Sequence, residues 1–167
     1  MSGNEIAVKC SGITKAFGGV VANDDINLEV KYGEILALLG ENGSGKTTLM
    51  NMLSGIYHPD KGTIAISGKT VAINSPKDSI ALGIGMIHQH FKLVEVFTAA
   101  DNIVAGTKGS LKGKGAVRDE INKISEQLGL EVDPDKKVYN MSVSEKQTVE
   151  ILKVLYRGAK ILILDEP

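Results

Sequence analysis

An α/β fold organised round a phosphate-binding loop is what this sequence predicts, and four stretches carry the prediction. Gly40-Glu41-Asn42-Gly43-Ser44-Gly45-Lys46-Thr47 fits the pattern G-x-x-x-x-G-K-[ST]. Before it, Glu34-Ile35-Leu36-Ala37-Leu38-Leu39 is an apolar run of strand length. After it, Thr48-Leu49-Met50-Asn51-Met52-Leu53-Ser54 reads as one short helix stopped at Gly55. Near the end, Ile161-Leu162-Ile163-Leu164-Asp165-Glu166 is four apolar residues followed by two acids. A strand buried on both faces reads this way, its carboxylates emerging at the carboxyl end, where open α/β sheets place their ligands.

The chemistry follows from the residue types. Glycines at 40, 43 and 45 let the backbone take turns that a Cβ forbids and approach an anion closely. Successive N–H groups then converge on a β-phosphate, helped by the positive end of the helix that starts here. Lys46 would lie along the β- and γ-phosphates, and the Thr47 hydroxyl would hold a Mg²⁺ that bridges them. A merely structural glycine turn fits the bare pattern but does not require the strand and helix on either side.

Bulk properties narrow the classes. At 167 residues the chain is the size of one domain with room for a core. A formal net charge of −1 gives no pull toward nucleic acid or an anionic membrane. No run of 18 apolar residues exists to span a bilayer, and Met1 to Glu5 lacks the basic start of a secretion signal. Cys10, the single cysteine, suits a reducing compartment and reads as a small, partly buried strand residue. Nothing in the Cys and His positions has zinc-ligand spacing. A soluble, cytosolic chain is expected.

Taken in order, Glu5 to Ser11 alternates as a half-exposed strand, with Ile6, Val8 and Cys10 on one face and Ala7 and Lys9 on the other. Gly18-Gly19 breaks it, and Ile26, Leu28 and Val30 alternate again. His58-Pro59-Asp60-Lys61-Gly62 is a dense turn signal. Thr63 to Ile66, a tight turn at Ser67-Gly68-Lys69, and Thr70 to Ile73 form a hairpin, implying an antiparallel sheet beside the main one. Ser75-Pro76-Lys77-Asp78 starts a helix that Gly83 ends, and Ile84 to Ile87 is a short buried strand. From Thr98 to about Lys137 the pattern is helical: Ala99, Ile103 and Val104, then Val117, Ile121, Ile124 and Leu128. Gly106 to Gly115 between them reads as a solvated loop. Gly109 to Lys114 imitates a phosphate loop without the preceding apolar strand. A last helix runs from about Ser144 to Gly158, and Lys160 to Leu164 is the final strand.

Four further places bear chemistry, each with an ordinary alternative. Asp165 would hold Mg²⁺ through water and Glu166 would polarise the attacking water, although acid-capped buried strands are common. Gln89 can accept from a metal-bound water and donate to a phosphate without adding charge; an ordinary loop glutamine fits equally. His88 and His90 flank it, and metal binding by the pair is not expected. Ser142-Val143-Ser144-Glu145-Lys146-Gln147 fits a capping box, as Ser142 with Glu145 or Ser144 with Gln147. It also offers hydroxyls and free N–H groups to a phosphate presented by another subunit. Phe17 before Gly18-Gly19 can stack on an adenine ring or pack in the core.

Together these stretches resemble the ATP-binding subunit of an ABC transporter, in order over essentially the whole chain. Phe17 matches the family's adenine-stacking aromatic, Gly40 to Thr47 the Walker A motif, and Gln89 the glutamine of the Q-loop. Ser142 to Gln147 matches the signature segment, and Ile161 to Glu166 matches Walker B with its catalytic glutamate. The phrases Gly83 to Phe91 and Val149 to Ala159 are similar to the branch of importers for simple sugars and nucleosides.

The resemblance implies a P-loop NTPase core with an antiparallel β subdomain (1–97), an inserted helical subdomain (98–141), and the signature helix with Walker B (142–167). It implies ATP held by Phe17, Gly40, Asn42, Gly43, Ser44, Gly45, Lys46, Thr47 and Thr48, with Ser142 and Ser144 acting from a facing cassette. Mg²⁺ would be held by Thr47, Gln89 and Asp165, and hydrolysis assisted by Glu166, Gln89 and Lys46. The implied partners are transmembrane permease subunits and a second cassette, at the cytoplasmic side of the membrane and without nucleic acid. In the family's Leu-Ser-Gly-Gly-Gln signature the third and fourth places are glycines; here they are Val143 and Ser144. The switch histidine placed after Walker B has no counterpart before Pro167, so the resemblance implies a fragment of a first cassette. As an isolated piece it is expected to bind nucleotide weakly and hydrolyse it barely. Two alternatives stay open: a soluble ABC ATPase of translation or DNA repair, and a nucleotide-binding module with impaired hydrolysis.

Overall fold

The computed structural model describes residues 5–87, 91–107 and 113–165, and the chain divides into two units, Met1–Ile84 and Gly85–Pro167. In the first, β1 (Ile6–Phe17) pairs antiparallel with β2 (Val20–Lys31) across the Gly18-Gly19 turn. On its other edge β1 pairs with β3 (Lys61–Ile66), which turns at Ser67-Gly68 into β4 (Lys69–Val71). The sheet order is therefore β2-β1-β3-β4, the antiparallel sheet that the hairpin implies.

β1 runs well past Ser11, where the alternation stops. The register shifts between Cys10 and Ile13, and Gly12 there takes φ 63°, so a bulge absorbs the break and Ile13 returns to the interior. Ala7 and Val8 are both buried, at a register shift between Ile6 and Val8, while Lys9 is exposed. Cys10 is fully buried where the sequence predicts partial burial, and that burial pushes its thiol up to about 11. α1 (Lys46–Leu53) buries Leu49, Met52 and Leu53. α2 (Pro76–Ala81) starts on Ser75, whose hydroxyl accepts from Asp78 N, with Pro76 at the first position where no N–H is needed. Ser79 Oγ donates to Leu53 O at 2.9 Å, tying α2 to the end of α1.

The stretch Glu34–Leu39 differs from its expected strand. Among the described residues it enters no ladder, and Ile35 and Leu39 stand 98% and 94% exposed. An apolar run predicts a strand covered on both faces. The sheet of this unit is antiparallel and filled by four other strands, so the run finds neither a ladder nor cover there.

In the second unit β5 (Ile84–Ile87) pairs with β6 (Ile161–Leu164). Only one face of β6 is covered: Ile163 is buried while Leu162 and Leu164 are exposed, against the two-faced burial expected of it. Three helices, α3 (Ala99–Val104), α4 (Lys114–Leu128) and α5 (Val143–Tyr156), enclose a core of Ile103, Val117, Ile121, Val138, Val149 and Leu152. Burying each of these larger aliphatics stabilises the unit by roughly 1.5–3 kcal/mol. Thr98 caps α3 with a full capping box to Asp101. α4 begins at Lys114, so Gly115 is helical rather than part of the preceding loop, whose residues 108–112 lie outside the described ones.

Candidate functional site

The phosphate loop is built in the first unit by a close approach. Gly45 takes φ 87° as the N-cap of α1, a conformation in which a side chain is strained. A Cβ there would stand 2.2 Å from Ala22 O of β2, so loop and strand backbones touch. From the same strand, buried Asn23 donates through Nδ2 to Gly45 O at 3.2 Å. Gly45 carries no side chain, so no side-chain hydrogen bond caps the start of α1, and the positive end of the helix faces the loop.

Lys46 folds back over this cradle. Its Nζ donates to Gly40 O at 2.7 Å, Glu41 O at 2.8 Å and Ser44 Oγ at 3.2 Å. Three neutral acceptors thus hold the ammonium among the loop residues, Asn42 and Gly43 included, which lie open to solvent. A phosphate oxygen can take their place with a stronger, charge-assisted bond. Thr47 is exposed on the first turn of α1 and Thr48 half-buried beside it. Among the described residues no group of three His, Cys, Asp or Glu side chains could hold a metal ion by itself. A divalent ion fits here only with phosphate oxygens completing its shell.

Phe17 ends β1 at 42% exposure. The Tyr57 ring meets it edge-on, centroids 5.0 Å apart and planes at 68°, and Lys15 Nζ lies 5.4 Å from its centroid. Asp60 accepts from Lys15 Nζ and from Ala16 N, both at 2.8 Å, and the Lys15 bond foremost holds its carboxyl below the usual range. Tyr57 and Asp60 support Phe17 without any pattern in the sequence that marks them.

In the second unit Ser142 caps α5. Its Oγ accepts from Glu145 N at 3.2 Å, and the Glu145 carboxylate accepts from Ser142 N at 2.8 Å, the first of the two pairings the sequence offers. Lys136 Nζ adds a bond of 2.6 Å to Glu145, and chiefly through it the carboxyl is held down at about 2. Ser144 is exposed on the first turn of α5. Asp165 follows β6, its N–H donating to Ile87 O at 3.1 Å. Gln89 and Glu166 lie outside the described residues. The structure therefore brings together Gly40, Ser44, Gly45 and Lys46, and adds Asn23, a strand residue that no motif contains.

A glycine cradle, a helix start without a side-chain cap and a lysine folded over the loop are the parts of the P-loop class of phosphate-binding folds. The family model for the ABC transporter matches residues 23–167. The nucleoside import ATP-binding protein NupA of Lactococcus lactis is 52% identical over 98% of this chain, and the guanosine import ATP-binding protein NupO of Bacillus subtilis is 53% identical over 98%. This chain spans about a third of the length of each. Among solved structures, cbiO1 of Clostridium perfringens, part of the ABC transporter complex cbiONQ, superposes with a TM-score of 0.83 at 29% identity, over 98% of this chain and 66% of that one. The chain belongs to the ABC transporter family and has the mixed α/β fold of its ATPases.

Proposed function

We propose that this chain is the ATP-binding part of an importer, hydrolysing ATP to drive uptake of a sugar or nucleoside. The observation that carries the proposal is the Gly40–Thr47 cradle with Lys46 Nζ bonded to three neutral acceptors of its own loop. Family membership supplies the ATPase reading, and relatives named for nucleoside and guanosine import supply the solute class.

In this reading the loop N–H groups and Lys46 bind the triphosphate, and Phe17, steadied by Tyr57, stacks on the adenine. Thr47, Gln89 and Asp165 would hold Mg²⁺ and Glu166 would orient the attacking water, roles supported by the family pattern alone. Bound Mg²⁺ supplies neutralisation of the charge developing on the phosphate oxygens. The partners are permease subunits and a facing cassette that presents its Ser142 segment, and the location is the cytoplasmic face of the membrane. No helix among the described residues is long and apolar enough to cross a membrane.

Titration of the intact protein with Mg-ATP tests the reading. Lys46→Ala is expected to weaken binding and lower turnover at least about tenfold, the worth of a charge-assisted bond to phosphate. Unchanged affinity and turnover would remove the basis for the proposal.

A further inference from the structure

We propose that Asn23 is a positioning residue of the phosphate loop: it fixes the Gly45–Lys46 peptide so that the Lys46 N–H faces the anion. The inference deepens the nucleotide-binding reading above and rests on it. Asn23 sits on β2 at 5% exposure, outside the glycine motif. Its Nδ2 donates to Gly45 O, which also accepts the first helical bond of α1 from Leu49 N at 3.0 Å. Both lone-pair directions of that carbonyl are then engaged from the side of the strand and helix. In a trans peptide the N–H points opposite to the C=O, so pinning Gly45 O aims the Lys46 N–H the other way.

Two further observations belong to the same contact. Gly45 lies so near β2 that an added Cβ would fall 2.2 Å from Ala22 O and 2.9 Å from Asn23 Nδ2, so the amide reaches the loop only because residue 45 is glycine. The second is a cost. Asn23 Oδ1 is buried with no hydrogen-bond partner among the described residues. A buried acceptor without a donor lowers stability, and an apolar side chain of similar size would not carry that penalty. A residue kept for packing alone would be leucine here; an asparagine with one satisfied end and one unsatisfied end is explained by the satisfied end.

The test separates stability from binding. Asn23→Leu keeps the volume, removes the bond to Gly45 O and removes the orphaned oxygen. Its nucleotide-free unfolding midpoint is expected to equal or exceed that of the unchanged protein. Its dissociation constant for Mg-ATP is expected to rise about fivefold, the effect of one neutral hydrogen bond. Affinity within twofold of the unchanged protein overturns the proposal, and so does a parallel fall of midpoint and affinity, which would make Asn23 merely structural. Should Asn23→Leu not fold, Asn23→Ala is judged on Mg-ATP affinity by the same limits. Lys46→Ala, measured beside them, separates the two readings. If it binds Mg-ATP normally the phosphate-site reading itself fails; if it loses binding while Asn23→Leu does not, only the role of Asn23 fails.

Discussion

Gly43 and Gly45 share a left-handed backbone, φ 84° and 87°, yet their surroundings differ completely. Nothing lies within 4 Å of a Cβ built on Gly43, whereas one on Gly45 meets the Ala22 carbonyl. Gly43→Ala is therefore expected to cost only the left-handed penalty of about 1–2 kcal/mol. Gly45→Ala is expected to cost at least about 2 kcal/mol more, because β2 or the loop must shift. Chemical denaturation of the two variants checks the order, and equal losses would mean that loop and strand do not touch. The motif makes both glycines legible as a class. It cannot rank them, since the ranking depends on Ala22, a residue of another strand. Asn23 escaped the sequence reading for the same reason: a lone asparagine in a strand has no local mark of being the one beneath the loop.

At the scale of elements, α5 shows how a helix start with a chemical motif is also a built structural joint. Its Lys146 pairs with Glu95 at 2.8 Å, its buried Glu150 accepts from Lys92 N at 2.7 Å, and Lys153 donates to Lys92 O at 2.9 Å while pairing with Glu150 at 3.3 Å. Positions 146, 150 and 153 recur at helical spacing, so one face of α5 holds the segment 92–95. Glu150→Ala leaves the Lys153 ammonium and the Lys92 amide without their carboxylate and is expected to cost about 3 kcal/mol. Glu150→Gln, which can still accept from Lys92 N, is expected to cost clearly less; similar midpoints for the two would argue against the bond to Lys92. The cap of α5 adds a pH dependence of definite sign. Glu145 is held at about 2, mainly by Lys136, so its contribution is complete above its ordinary value of 4.5 and is lost as pH falls from there toward 2. Lys136→Met is therefore expected to lower the unfolding midpoint at pH 7 and to match the unchanged protein near pH 2. A gap that persists unchanged to pH 2 would place the effect of Lys136 elsewhere. The capping pattern Ser-x-x-Glu made this helix start legible, and helical spacing did the same for α3 and α4. Lys136 and Lys92 come from distant segments, which periodicity does not register.

For the whole molecule, the division between what was and was not legible follows the range of the interactions. The hairpin at Ser67-Gly68, the helix starts at Ser75, Thr98 and Ser142, and the helix leaving the phosphate loop are set by neighbours in sequence. The stretch Glu34–Leu39 and the outer face of β6 depend on what covers them, and there composition alone misleads: Ile35, Leu39, Leu162 and Leu164 are all exposed. Nearly bare Ile35 and Leu39 add no packing energy here, but they offer apolar surface and an unpaired backbone to any passing chain. Residues 1–167 on their own are accordingly expected to bind an apolar fluorescent dye and to self-associate as concentration rises. Replacing Ile35 and Leu39 together by Lys is expected to reduce both dye binding and association while shifting the unfolding midpoint by no more than a degree or two, since about 0.5 kcal/mol is the usual limit for exposed sites. A large fall in the midpoint would show that the two side chains are packed after all, and that the Glu34–Leu39 run is a covered strand as its composition suggests.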